Sequence, residues 1–319
     1  MTLSDLELAH GTQFNVACRV RHPLRKIAAN GSSYLCFSIE DCSLTIKAYA
    51  WPEQCDMSVS LHDLDCALVE GRLRNFNGGI LAAVTSIQPI VNEPANSVEL
   101  IPHSMCPQPP QLVRLVDLVS RLSNEDLVYF VNSVFAEDAF ALPFVRLPAS
   151  RSHHHSVPGG LLEHSLECAR MVQHFSEFNP EMKDLAVVAA LLHDVGKIVT
   201  LKTPDKFCLE RAVLDHNALT LELLAPHLKA LDAVNREIAT ALRYLWTWHH
   251  YRRGAVHPAL TIAEAVAAAD RISSGLSIEE MTFRGRPEWH TVARTEYNNA
   301  MMWRPHLNWH TDNSRHKQQ

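Results

Sequence analysis

Two periodicities divide the chain. Between about residues 12 and 92 the apolar positions fall in five short runs: FNVACRV, SYLCFSIE, LTIKAYAW, CALVEGRLRNF and ILAAVTSIQPI. They are rich in β-branched and aromatic residues, and turn formers separate them: Asn30-Gly31, Asp41 and Asn77-Gly78-Gly79. Five strands in so short a stretch predict a small barrel, of which the OB-fold is the five-stranded example. Residues 93–111 carry Pro94, Pro102, Pro107, Pro109 and Pro110 and read as a linker. From Leu112 the spacing turns helical, first in VRLVDLVSRL and then, after a Ser123 cap, in LVYFVNSVF. Further helices are predicted over 161–175, 183–193, 214–224, 233–250 and 260–272. No strands alternate with them, so this half is an all-α bundle.

The chain is thus expected to be a multi-domain α and β protein. Residues 1–92 form an N-terminal five-stranded OB-type β-barrel, 93–111 a Pro-rich linker and 112–275 the helical bundle. Residues 276–319 form an irregular C-terminal tail whose last stretch, HTDNSRHKQQ, is expected to be disordered. The longest apolar runs, such as 185–192, fall far short of the ~20 residues of a membrane span. The first residues, MTLSDLELAHGTQF, lack a basic segment followed by an apolar one, so a cytoplasmic location is expected.

Composition alters this picture at two points. None of the eight cysteines forms a CxxC pair, which argues against a zinc ribbon or a thioredoxin-type site. Histidine is in excess: 19 in all, 11 of them between His153 and His257. A local histidine excess beside aspartates is the footprint of metal ligation. The candidate ligands are His164, His193, Asp194, His216, His249, His250 and Asp270. His193-Asp194 follows the apolar run LAVVAALL, and Asp270 ends the run AVAAA. Polar groups emerging from core helices are costly unless paired or metal-bound. Gly196 is placed to end the first of these helices in a left-handed cap. Imidazole and carboxylate together suit Mn, Fe, Zn, Ni or Co. Seven groups exceed one tetrahedral ion but suffice for two divalent ions sharing Asp194, an arrangement that serves displacement at phosphorus. His174 and His227 read as ordinary helix histidines.

The order H…HD…D, as His164, His193-Asp194 and Asp270, resembles the HD superfamily of metal-dependent phosphohydrolases. That resemblance implies an all-α HD domain and hydrolysis of phosphomonoesters or phosphodiesters. HDVGK is a typical form of its central motif, and Lys197 is then placed to approach a substrate phosphate beside the catalytic Asp194. His216 and His249-His250 are similar to the extra ligands of binuclear members. The GYP extension of the cyclic-di-GMP phosphodiesterases is absent, since YRRGAVHP follows His250. The stretch FVRLPASRSHHHSVPGGLLEHSLE, the downstream HDVGK and the WHH…ADRI ending resemble YhaM-type 3′→5′ exonucleases. Those also carry an N-terminal OB-fold and a helical lead-in. The resemblance covers roughly residues 14–275; the triple histidine His153-His154-His155 and the tryptophan-containing tail depart from it. PGGLLEH also resembles the HD-like domain of certain conjugative-plasmid relaxases.

An OB barrel binds single strands by stacking bases on aromatics along a basic groove. Candidate contacts are Arg19, Arg21, Arg25 and Lys26, then Tyr34, Phe37, Lys47, Tyr49 and Trp51, then Arg72, Arg74 and Phe76. Net charge is −6, and residues 1–95 hold 7 Lys/Arg against 10 Asp/Glu, so affinity should be modest and salt-sensitive. The expected activity is 3′→5′ exonuclease action on single-stranded RNA or DNA. The alternatives are a small-nucleotide phosphohydrolase and a nucleic-acid-binding or mobilisation module with an inactive HD domain.

Overall fold

A computed structural model describes residues 2–56, 60–90, 96–152, 155–202, 208–248, 259–296 and 298–305. The five apolar runs form the strands β1 (Gln13–Ile27), β2 (Ser33–Glu40), β3 (Thr45–Ala50), β4 (Cys66–Phe76) and β5 (Gly79–Pro89). They close into a barrel in the order β1-β2-β3-β5-β4. Closure rests on the length of β1, which pairs with β4 through Gln13–Arg19 and with β2 through Arg19–Ile27. A register shift between Arg21 and Leu24, where His22 takes a φ of 53°, lets one strand serve both neighbours. Alternate residues point inward, so Phe14, Val16, Cys18, Val20, Phe37, Ile39, Val69, Leu73 and Val84 fill the barrel with Leu3 from the N-terminal turn.

The helical half comprises α1 (Pro110–Ser120), α2 (Glu125–Phe135), α3 (Asp138–Arg146), α4 (Gly160–Gln173) and α5 (Pro180–Leu192). It continues through α6 (Lys197–Leu201), α7 (Leu209–Val213), α8 (His216–Val234), α9 (Arg236–Thr247) and α10 (Thr261–Phe283). The central member is α5, buried continuously from Ala186 to Leu192, with α4 and α10 packed on it. No single helix among the described residues is long and apolar enough to cross a membrane.

Helix ends differ from the sequence reading where side chains override the apolar pattern. The cap of α2 is Asn124, whose Oδ1 accepts from Leu127 N at 3.0 Å, while Ser123 donates to Asp184. Asn179 caps α5, which begins at Pro180, three residues before its predicted start. Asn235 closes α8 and caps α9. Helix α10 runs through Gly275 to Phe283, because Thr282 and Phe283 bury there. Beyond it, β6 (Val292–Arg294) pairs with β7 (Met301–Trp303), and Arg304 lies 4.5 Å over the Phe283 ring. The stretch HTDNSRHKQQ lies outside the described residues.

Between barrel and bundle the chain is packed rather than loose. Val98, Ile101 and Cys106 join the helical core, together with Cys42 from the barrel. Cys42 N donates to Glu99 O, and His103 N to Asp41 O, both at 2.8 Å. Arg19 donates to Leu100 O at 3.1 Å and pairs with Asp138 of α3 at 2.8 Å. Arg21 pairs with Glu40 at 2.9 Å, and Glu40 also accepts from the backbone and hydroxyl of Ser104. A fragment beginning at Leu112 would strip these residues from the helical core.

Glu40 is 1% exposed, so it depends on Arg21 for its countercharge. Arg21→Met should cost about 3–5 kcal/mol of unfolding free energy in urea, because a buried charge is left uncompensated. Arg74→Ala, on the exposed surface, should stay within about 0.5 kcal/mol. Equal urea midpoints for the two variants would overturn this account of the joint.

Candidate metal centre and nucleic-acid interface

Three helices converge on one carboxylate. Helix α4 carries His164 on its buried face, between Leu161-Leu162 and Leu166. His193 is the C-cap of α5, and Asp194 follows it. Asp270 stands in mid-helix on α10 rather than at a helix end, one turn after Val266. His164 Nε2 lies 3.4 Å from Asp194 Oδ2 and 3.3 Å from Asp270 Oδ1. His193 Nε2 lies 3.4 and 3.8 Å from the same two oxygens. These four predicted ligands therefore come together.

Their electrostatics call for a cation. His193 Nδ1 is 2.7 Å from Ala190 O, a carbonyl that can only accept, so Nδ1 carries the hydrogen. Its Nε2 is left as the atom that takes up either a proton or a metal ion, buried and without a hydrogen-bond partner. Burial alone would depress His193, but Asp194 and Asp270 outweigh it and push its pKa up to about 10. Burial likewise opposes ionisation of Asp194, yet His193, Lys197 and His164 hold it well below the usual carboxylate range. Asp270 is lowered against its own burial by His164 and His193. Two carboxylates and two imidazole nitrogens facing one point suit a divalent ion of the borderline class. Cys168 Sγ lies 3.9 Å from both nitrogens of His164, and burial pushes its thiol far up.

Asp194 offers its other oxygen elsewhere. His216, at the start of α8, places Nε2 3.4 Å from Asp194 Oδ1. Gly196 holds α8 close, though not through a left-handed cap: its φ is −56°. A Cβ there would sit 2.0 Å from His216 O, and Gly196 N donates to Thr220 Oγ1 at 3.0 Å. Lys197 Nζ is 2.5 Å from Asp194 Oδ2, so its first partner is the carboxylate. It also lines a cavity of about 550 Å³ with His216, Arg151, Arg211, Leu214 and Ile278. His249 and His250 lie outside the described residues, as do His153 and His154.

Sequence reasoning missed the layer behind His164. His164 Nδ1 is 2.9 Å from Ser273 Oγ on α10, and Ser273 donates to Glu167 Oε2 at 2.6 Å. His155 is buried between Glu163 and Glu167, each 3.3 Å from one ring nitrogen. Burial works against its charge, but Glu167 and Glu163 outweigh it and raise its pKa. The available signal was the heptapeptide Glu163-His164-Ser165-Leu166-Glu167-Cys168-Ala169, in which acidic residues flank the ligand at helical spacing.

The barrel sorts its predicted contacts into two groups. Arg19 and Arg21 are 5% exposed and serve the joint to the bundle, and Phe37 is in the barrel core. Those three are corrected: inward pleat parity removes Phe37 from the surface, and the partners in the 96–106 segment, Glu40 and Asp138 remove the two arginines. Lys26, Lys47, Arg72 and Arg74 are exposed, and Tyr34, Tyr49 and Trp51 are half-buried. Lys26 pairs across strands with Tyr34, whose ring stacks on Trp51 at a centroid distance of 4.7 Å. Tyr49 and Arg72 are register partners of the same residue, Ala83, on β5. Arg25 and Phe76 are also exposed, Phe76 at the β4–β5 turn.

Residues 161–275 match the family described as HD domain. Residues 102–178 also match a family described as "Putative helicase", over the lead-in helices and α4. The 3′-5′ exoribonuclease YhaM of Bacillus licheniformis is 20% identical over 244 residues, covering 75% of this chain and 77% of the relative. The Bacillus subtilis protein of the same name is 21% identical over the same extent. Among solved structures, the OB domain of Ta0387 from Thermoplasma acidophilum aligns with 30% of this chain and 92% of its own. It does so at 20% identity and a TM-score of 0.24. With the candidate HD ligands brought together on α4, α5 and α10 and a closed five-stranded barrel before them, the chain is an HD-type, YhaM-like protein, a likeness that supports a metal-dependent hydrolase.

Proposed function

We propose that this protein is a 3′→5′ exonuclease that shortens single-stranded RNA. The observation that carries the reading is the convergence of His164, His193, Asp194 and Asp270 in a chain whose barrel presents aromatics and cations together. The YhaM relatives support the substrate class. His164, His193, Asp194 and Asp270 would hold a divalent ion, which supplies Lewis-acid polarisation of a phosphoryl oxygen and activation of water. The chain's own groups do the rest. Arg151, Arg211 and Lys197 give the cavity beside the site a cationic wall for phosphate, and Leu214 and Ile278 give it an apolar one. Lys26, Tyr34, Trp51, Lys47, Tyr49, Arg72 and Arg74 would bind the rest of the strand outside the chemistry.

A 5′-end-labelled single strand incubated with Mn²⁺ should give a ladder shortening stepwise from its 3′ end, in parallel RNA and DNA arms. Asp194→Asn should abolish the ladder. Hydrolysis of mononucleotide esters with intact strands would replace this reading by the small-nucleotide phosphohydrolase. Binding without any product would replace it by the inactive binding module.

Asp194 directs Oδ2 toward His164 and His193 and Oδ1 toward His216, which favours two ions sharing it. His216→Ala should then lower bound metal by about one equivalent on the two-metal scheme while the first ion stays. Unchanged stoichiometry by elemental analysis would assign a mononuclear centre.

Trp51→Ala should weaken strand binding by about 1–3 kcal/mol, the worth of one stacked base, and raise KM on strands. Turnover of bis-p-nitrophenyl phosphate should not change, and KM on strands should rise with salt in the parent protein. Equal KM values on strands for Trp51→Ala and the parent would remove the barrel from substrate binding.

A further inference from the structure

His155 is held in an unusual way for a residue outside the ligand set. It is a buried histidine with a φ of 44°, a region costly for any side chain but glycine. Its backbone is fixed on both sides: its N donates to Ser277 Oγ and its O accepts from Ala149 N, both at 3.0 Å. The loop closes onto α4 because residue 160 is glycine; a Cβ there would meet His155 O at 2.0 Å. So strained a conformation needs a surrounding that over-determines it, and here the surrounding leads to a ligand.

Ser273 Oγ is the meeting point. It lies 2.6 Å from Glu167 Oε2, 2.9 Å from His164 Nδ1 and 3.2 Å from His155 Nε2. A hydroxyl has one hydrogen. A carboxylate can only accept, and the shortest contact takes that hydrogen. Toward His164 the same oxygen is therefore an acceptor, so Nδ1 carries the ring hydrogen. Nε2 is left as the nitrogen open to a metal ion, 3.3 Å from Asp270 and 3.4 Å from Asp194. The other imidazole nitrogen of a metal-bound histidine is ordinarily tied to a carboxylate or carbonyl. Here a hydroxyl stands between ring and carboxylate, and His155 keeps that carboxylate in place from its far side at 3.3 Å.

We propose that Glu167 and Ser273, anchored by His155, are positioning residues that hold His164 in the tautomer able to bind a metal through Nε2. The proposal rests on the metal-centre reading above. It gives the third histidine of the SHHH run a role at a distance from the ligands.

The test uses the full chain and Zn²⁺, with affinity measured by competition against a chromogenic chelator. His164→Ala sets the affinity of a site lacking this ligand. Ser273→Ala and Glu167→Gln should each bind Zn²⁺ about 10–100-fold more weakly than the parent, the usual loss for a partner behind a ligand. Ser273→Thr, which keeps the hydroxyl, should restore affinity. In the Zn²⁺-loaded parent, nitrogen-15 spectra should show a slowly exchanging hydrogen on His164 Nδ1, lost in Ser273→Ala. Should Ser273→Ala fail to fold, Glu167→Gln carries the same measurement at a partly exposed site. Parent-like affinity in Glu167→Gln and in folded Ser273→Ala, or a hydrogen found on Nε2, would overturn the relay. A parent that binds Zn²⁺ no better than His164→Ala would overturn the metal centre itself.

Discussion

A carboxylate buried at the C-terminal end of a core helix sets the terms for the helical half. Asp194 follows α5, where the helix dipole opposes an anion, and its side chain is 3% exposed. Such a group persists only if surrounding elements bring compensating charge or donors. Four of them do so: α4 brings His164, the end of α5 brings His193, α6 brings Lys197 and α8 brings His216. The packing of α4 and α10 on α5, and the close approach of α8 at Gly196, are the mechanical side of that requirement.

The same need shapes the joint between the two halves. Glu40 at the end of β2 is buried, and Arg21 with Ser104 satisfies it. Arg19 pairs with the partly exposed Asp138 and donates to the carbonyl of Leu100. Each arginine reaches from a barrel strand into the 96–106 segment or α3, so charge neutralisation and domain docking are one event. Two guanidinium groups are thereby withdrawn from the barrel surface. The remaining exposed cations and the Tyr34–Trp51 stack form the face proposed to take a strand.

A gradient of polarity runs outward from Asp194. On the core side, His164 is backed by Ser273, Glu167 and His155, all fixed by short contacts. On the open side, Asp270 and His216 are each close to half exposed, and the cavity there is walled by Arg151, Arg211 and Lys197. The inner layer has the rigidity that the proposed metal ligands need, and the outer layer has the access that the proposed strand substrate needs.

The sequence by itself determined the strands, the helical half and four candidate ligands that converge, because each leaves a local trace. Pleat alternation marks β1 to β5, the 3.6 period marks the helices, and His193-Asp194 stands out against an apolar run. Tertiary structure alone decided which of two similar arginine pairs is surface. Arg72 and Arg74 face water, while Arg19 and Arg21 meet acids 19 to 119 residues away. It also decided why Gly196 is glycine, a matter of the His216 carbonyl 20 positions on rather than of a cap. The same holds for His155 and Ser273, 118 positions apart, which meet only when Ser277 on α10 and Ala149 hold the His155 backbone in place. Short-range periodicity is written into neighbouring residues. A hydrogen bond or ion pair across such separations has no periodicity, and only the closed chain brings its partners together.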